Sequence, residues 1–167
     1  MVVSEDLLRK RIMEHRNRPL DINEILSREN ESNVVIDAYE FFMRQSKYEI
    51  DDRFNKTVQN FLYCVLYDGF IGSGGISVFL VDNGGLIANS VADALHNIEA
   101  IESERILRKS FKLFPNSVIP ENKIERLKLL SVLEEDLTPL DIDAFNSDTD
   151  SFCYRYLMKN KDYFLMQ

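Results

Sequence analysis

Apolar positions recur at helical spacing along most of this chain. Val35, Ala38, Tyr39 and Phe42 fall at i, i+3, i+4 and i+7, the pattern of a buried helical stripe. Asn33 precedes them as a candidate cap. Val91, Ala94, Leu95, Ile98 and Ile101 share one face of a second helix, and Leu107, Phe111 and Phe114 one face of a third, which Pro115 ends. Ser4, followed by Glu5 and Asp6, predicts a first helix that stops before Pro19. A short helix is predicted from Asp21 to about Arg28. Pro120 and Glu121 predict another start. The second half of that helix, Leu129-Leu130-Ser131-Val132-Leu133, is apolar on several sides and is expected to be deeply buried. Tyr154, Tyr156, Leu157, Tyr163, Phe164 and Leu165 predict an aromatic-rich closing helix docked on the core.

Three stretches resist a reading by period. Phe61-Leu62-Tyr63-Cys64-Val65-Leu66-Tyr67 is apolar throughout, as a buried helix or an interior strand would be. Its charged lead-in from Asp51 to Lys56 lengthens the segment to 17 residues, which favours helix. Ile76-Ser77-Val78-Phe79-Leu80-Val81 is strand-prone in composition. Residues 137–151 read as an acidic loop or a helix broken by Pro139.

Composition adds two asymmetries. All six glycines lie between Gly69 and Gly85, so the backbone there needs turns or close approaches. The net charge is −8, which argues against nucleic acid as a direct ligand. Seven acids, Glu134, Glu135, Asp136, Asp141, Asp143, Asp148 and Asp150, stand within residues 129–154 without a Lys or Arg among them. Residues 1–60 nearly balance, and there Arg9-Lys10-Arg11 is offset by Glu5, Asp6 and Glu14 at helical spacing. A chain of 167 residues is expected to form a single domain. No apolar run approaches a membrane span, and the first residues lack the pattern of a signal peptide, so a cytoplasmic location is expected. Cys64 and Cys153 have no metal-ligand spacing.

Taken in order, three blocks of this sequence resemble the DNA mimic protein domain family, a bacterial group. The first is Gly74-Gly75-Ile76-Ser77-Val78-Phe79-Leu80-Val81-Asp82-Asn83. The second is Ala94-Leu95-His96-Asn97-Ile98-Glu99-Ala100, ahead of Leu113-Phe114-Pro115. The third is Leu137-Thr138-Pro139-Leu140-Asp141 with Phe145, followed by Tyr156, Asn160 and Phe164. The resemblance covers about residues 55–167. Ser73 stands where the family usually has Asn, and Glu99 where it usually has Gly, which is read as a tolerated position on a helix surface. The resemblance implies an all-α fold with residues 76–81 helical. It also implies carboxylates presented in place of DNA phosphates to a DNA-binding protein, and self-association as a homodimer.

The expected architecture is therefore an all-α, compact single-domain bundle of roughly eight helices with glycine-rich connections. Residues 1–54 are a helical extension packed on a domain of residues 55–167. The expected function is non-enzymatic binding of a protein partner through the seven acids named above, with no cofactor, metal, membrane or direct nucleic-acid contact. Asp141 is also a candidate helix cap. Two other readings stay open, an immunity-type protein that neutralises a basic toxin and an enzyme with a site near residues 69–85. Against the latter, the glycines fit neither a P-loop nor a dinucleotide fingerprint, since no Lys follows them and their spacing is wrong. His15 and His96 have no ligand or triad partners in sequence. Asn146, Asp148 and Asp150 alternate like a calcium loop but lack its Gly and Glu.

Overall fold

A computed structural model describes residues 18–82 and 84–167. The helix predicted after Ser4, and the basic run it carries, lie outside those residues. The described chain holds nine α-helices and no strand. They are α1 (Ile22–Ile25), α2 (Glu31–Gln45), α3 (Lys56–Val81), α4 (Gly84–Asn97), α5 (Ile101–Phe111), α6 (Lys123–Val132), α7 (Glu134–Phe145), α8 (Thr149–Lys159) and α9 (Lys161–Leu165). A 3-10 turn, Pro115–Ser117, follows α5.

Short polar side chains set several of the starts. Asp21 accepts from the amides of Asn23 and Glu24 and opens α1. Asn30, rather than Asn33, opens α2, because its Oδ1 accepts from the Asn33 amide at 2.9 Å. Asn55 caps α3 through the Val58 amide, so only Lys56 of the charged lead-in is helical. Asn122, not Pro120, caps α6, accepting from Ile124 and Glu125. Each such cap satisfies amides that the first turn leaves without partners.

The apolar run from Phe61 to Tyr67 lies in α3, the axis of the molecule. α4, α6, α7 and α8 pack along it, α2 packs on α8, and α5 bridges α4 and α7. By length and composition α3 is a helix able to cross a membrane, because it joins two apolar stretches through Asp68 and the glycines. Here Phe61, Leu62, Tyr67, Ile76, Phe79 and Leu80 are buried among other helices, while Val65, Leu66, Phe70 and Val78 are half-buried. One aromatic cluster ties α2 and α9 to α3. Phe42 of α2 meets Phe54 and Phe164, and Phe164 of α9 meets Phe61, with ring centroids 5.3–5.8 Å apart. Rings at such separations and steep angles gain beyond their area burial.

Several sequence expectations need correction. Residues 137–151 are neither an acidic loop nor a helix broken at Pro139, since α7 runs through Pro139 and a tight turn leads into α8. The proline removes the N–H that would close on the Glu135 carbonyl, but both residues are exposed, so water can serve that carbonyl. The apolar half of α6 is not deeply buried. Only Leu130 is enclosed, and Val132 is 77% exposed. Ile101 does not continue the face of Val91, Ala94, Leu95 and Ile98, because α4 ends at Asn97 and Ile101 opens α5, where it is 51% exposed. The closing aromatic segment is two helices, α8 and α9, divided at Asn160.

Glycine has two specific uses. Gly75 takes φ +80° and, with Gly74 beside it, breaks α3 into residues 56–73 and 76–81. Gly85 lies against the Leu80 carbonyl and the Arg126 side chain, where any Cβ would collide. Gly69 and Gly72, by contrast, sit inside α3 with open space where a Cβ would go.

Candidate functional site

α7 carries most of the acidic segment. Its inner ridge, Leu137, Leu140 and Ala144, is buried against α3 and α5, and this orients the rest outward. Glu134, Glu135 and Asp136 occupy its first turn and are exposed, as is Asp143. Leu133, which precedes them, makes no side-chain capping bond, so the three carboxylates also supply the negative charge that a helix N-terminus favours. Asp148 is exposed in the turn that leads into α8.

The remaining two acids are tied to other elements. Asp141 points inward at the break in α3, where its Oδ1 accepts from the Ile76 amide at 2.6 Å. It therefore caps residues 76–81, not the turn that follows it in sequence. Burial raises its carboxyl pKa, and the amides of Ile76 and Ser77 oppose that rise. Asp150 accepts from the Ser32 hydroxyl at 2.7 Å and joins α8 to α2.

Among the described residues none of the seven acids forms an ion pair within 4 Å, whereas most arginines are committed elsewhere. Arg105 senses Asp143, yet its guanidinium fork is held by Glu102. Density limits what this row can imitate. Residues 134–143 span about 14 Å of helix. Duplex DNA carries roughly eight charges over that length. The four exposed carboxylates of α7, Glu134, Glu135, Asp136 and Asp143, supply about half of that.

Asp68 is a further acid that the sequence reading passed over. It is half-buried on α3, and its pKa rises to about 6 through burial and the neighbouring charges of Asp150 and Asp148. The signal was a lone carboxylate ending an apolar run. Exposed Ile142 and Phe145 on the last turns of α7 were also missed as surface features, because their spacing fits a core stripe equally well.

An open cleft of about 380 Å³ lies between the break in α3 and the end of α7. It is lined by residues 71–75 with Asp141, Ile142, Phe145 and Asn146, and among the described residues Asp141 is its one titratable group. Elsewhere, His96 pairs with Glu104 at 2.9 Å on the surface. Cys64 and Cys153 are buried, and burial raises both thiol pKa values. No metal-holding group of His, Cys, Asp or Glu occurs among the described residues.

No curated protein and no solved structure matches this chain. A family match covers residues 52–164, about two-thirds of the sequence, from just ahead of the cap of α3 to Phe164 in α9. This chain belongs to the DMP19-like protein family, a DNA mimic protein family of largely unknown function.

Proposed function

We propose that this protein is a non-enzymatic, cytoplasmic binding protein that offers the outer face of α7 and the turn before α8 to a basic protein partner, a DNA-binding protein in the first instance. The observation that carries this reading is the set of five exposed carboxylates, Glu134, Glu135, Asp136, Asp143 and Asp148, without ion-pair partners among the described residues. Such a field attracts cationic surfaces and repels nucleic acid. Asp141 and Asp150 belong to the same surface as structural supports, and Asp68 adds charge behind it when ionised. Membership of a DNA mimic family supports the choice of partner class.

The test is capture of partners from the native cell lysate, eluted with increasing salt. A partner held by this face should elute early in the gradient, because contacts between exposed charges weaken as the Debye length shrinks. Replacing Glu135, Asp143 and Asp148 by Lys should abolish capture. Gln or Asn at the same positions should weaken it by a smaller factor, with circular dichroism unchanged in both. Undiminished capture by the Lys variant rules the face out. A basic toxin would satisfy the same electrostatics, and a toxin gene adjacent to this one would favour that partner.

A further inference from the structure

We propose that the cleft between the glycine break of α3 and the last turns of α7 receives an arginine side chain from the basic partner. This rests on the reading of α7 as the docking face and names the anchor within it. Two complementary walls meet in the cleft. On one side Ile142 and Phe145, one turn apart on α7, are 58% and 71% exposed. An uncovered Phe beside an aliphatic neighbour suits the apolar stem of a long cationic side chain. Its ring face suits the planar head.

The other wall is polar. Residues 56–73 of α3 end at the break, and a helix C-terminus concentrates negative partial charge. In an unbroken helix the Ile76 amide would close on the Gly72 carbonyl; here it is given to Asp141. The Asp141 carboxylate keeps lone pairs beyond those used by the backbone amides. Separated oxygens of this kind match a guanidinium fork better than an ammonium point charge. Gly72, which lines the cleft, has open space where a side chain would stand.

Two of the chain's own arginines use one each of these two means. Arg126, only 2% exposed, lays its fork on the Val81 and Asp82 carbonyls at the C-terminal end of α3, each at 3.1 Å, and on those of Pro120 and Glu121. Arg155 stacks over the Phe152 ring at 4.3 Å from its centroid. The cleft brings the C-terminal end of a helical segment and an aromatic face together, set in an acidic surface, and no arginine among the described residues lines it.

The experiment titrates the isotope-labelled full chain with two capped peptides of equal length and charge, an Arg-Ser repeat and a Lys-Ser repeat. Amide signals of Gly72, Ser73, Gly75, Ile142 and Phe145 should shift with the Arg peptide. That peptide should bind about threefold more tightly than the Lys peptide, the margin expected of an exposed cation–ring contact. Phe145→Ala and Gly72→Leu, both at exposed positions, should each erase the preference and leave equal, weaker binding of the two peptides. Equal binding to the unaltered protein, insensitive to Phe145→Ala, overturns the anchor while leaving the acidic face intact. Absence of binding by either peptide at low salt overturns both. Shifts at Phe145 that grow with protein concentration alone assign the cleft to a second copy and overturn it as well.

Discussion

Glu99 holds φ +69°, a left-handed conformation in which a side chain crowds the backbone. It does so because α4 ends in a Schellman turn, with the Ala100 amide on the Leu95 carbonyl at 2.9 Å and the Glu99 amide on the His96 carbonyl at 3.0 Å. The position where the family usually has Gly is thus a helix stop, and reading Glu99 as a tolerated surface substitution was incorrect. Among the described residues the one return from the side chain is an exposed pair with Lys159 at 3.4 Å, which contributes little. Glu99→Gly should therefore stabilise the protein by about 0.5–1 kcal/mol in urea denaturation; destabilisation would mean that the pair with Lys159 outweighs the strain. Asp68 poses a different problem. Its native pKa of about 6 exceeds the 3.8 of an ordinary aspartate, so the native state holds its proton more tightly than the unfolded chain. The stability it lends is complete below about pH 4 and is lost as pH rises through 6. At pH 7.5 the ionised group is partly stripped of water and faces Asp150 and Asp148, at a cost that partial exposure reduces to about 1–2 kcal/mol. Asp68→Asn should recover that amount at pH 7.5 and almost none at pH 4, as read from thermal melts at the two pH values.

The glycines of α3 should behave oppositely depending on which side of the break they occupy. A Cβ at Gly75 would meet the Asp141 carboxylate and force a side chain into a positive φ. Gly75→Ala should cost at least about 2 kcal/mol, and Asp141→Ala, which removes the cap, about 1–2 kcal/mol. Gly69→Ala fills empty space on a helix and should stabilise by about 0.5–1 kcal/mol. Equal effects at Gly69 and Gly75 would show that the break carries no strain. This element also shows how far local sequence reaches. The apolar run from Phe61 to Tyr67 is helix as expected, but the length that makes it one comes from residues 68–73 beyond it and not from the lead-in, of which only Lys56 is helical. The strand-prone composition of residues 76–81 misleads, since the cap that starts this helix comes from Asp141, far along the chain, and strand propensity is a weak preference that tertiary contacts override. α7 was obscured for a local reason, a proline that usually marks a boundary but here sits on a wet face. The seven acids were legible as a cluster; their division into five exposed groups and two structural ones was not, because that depends on which helices cross at Asp141 and Asp150.

At the scale of the whole molecule, the family match begins at residue 52, yet the packing does not begin there. α2 lies ahead of it and buries Val34, Val35, Ala38, Phe42 and Met43. Phe42 touches both Phe54 and Phe164, so it closes an aromatic cluster whose other members lie inside or at the edge of the matched region. Asp37 anchors the same helix to the preceding segment through Arg18 and Arg28, and Asp150 anchors it to α8 through Ser32. Residues 18–50 are consequently wired into the core by rings, ion pairs and a hydroxyl, and α9, which carries Phe164, depends on α2 for part of its cover. Phe42→Ala should cost about 3–5 kcal/mol, the usual penalty for emptying an aromatic site in a close-packed core. A chain begun at residue 52 strips Phe42 from Phe54 and Phe164 at once. It should lose cooperative unfolding, bind a hydrophobic dye, and show weakened amide protection first in α8 and α9. If the shortened chain instead unfolds at the urea midpoint of the full protein, α2 is an attached segment, and the aromatic contacts that cross residue 52 contribute nothing measurable to the fold.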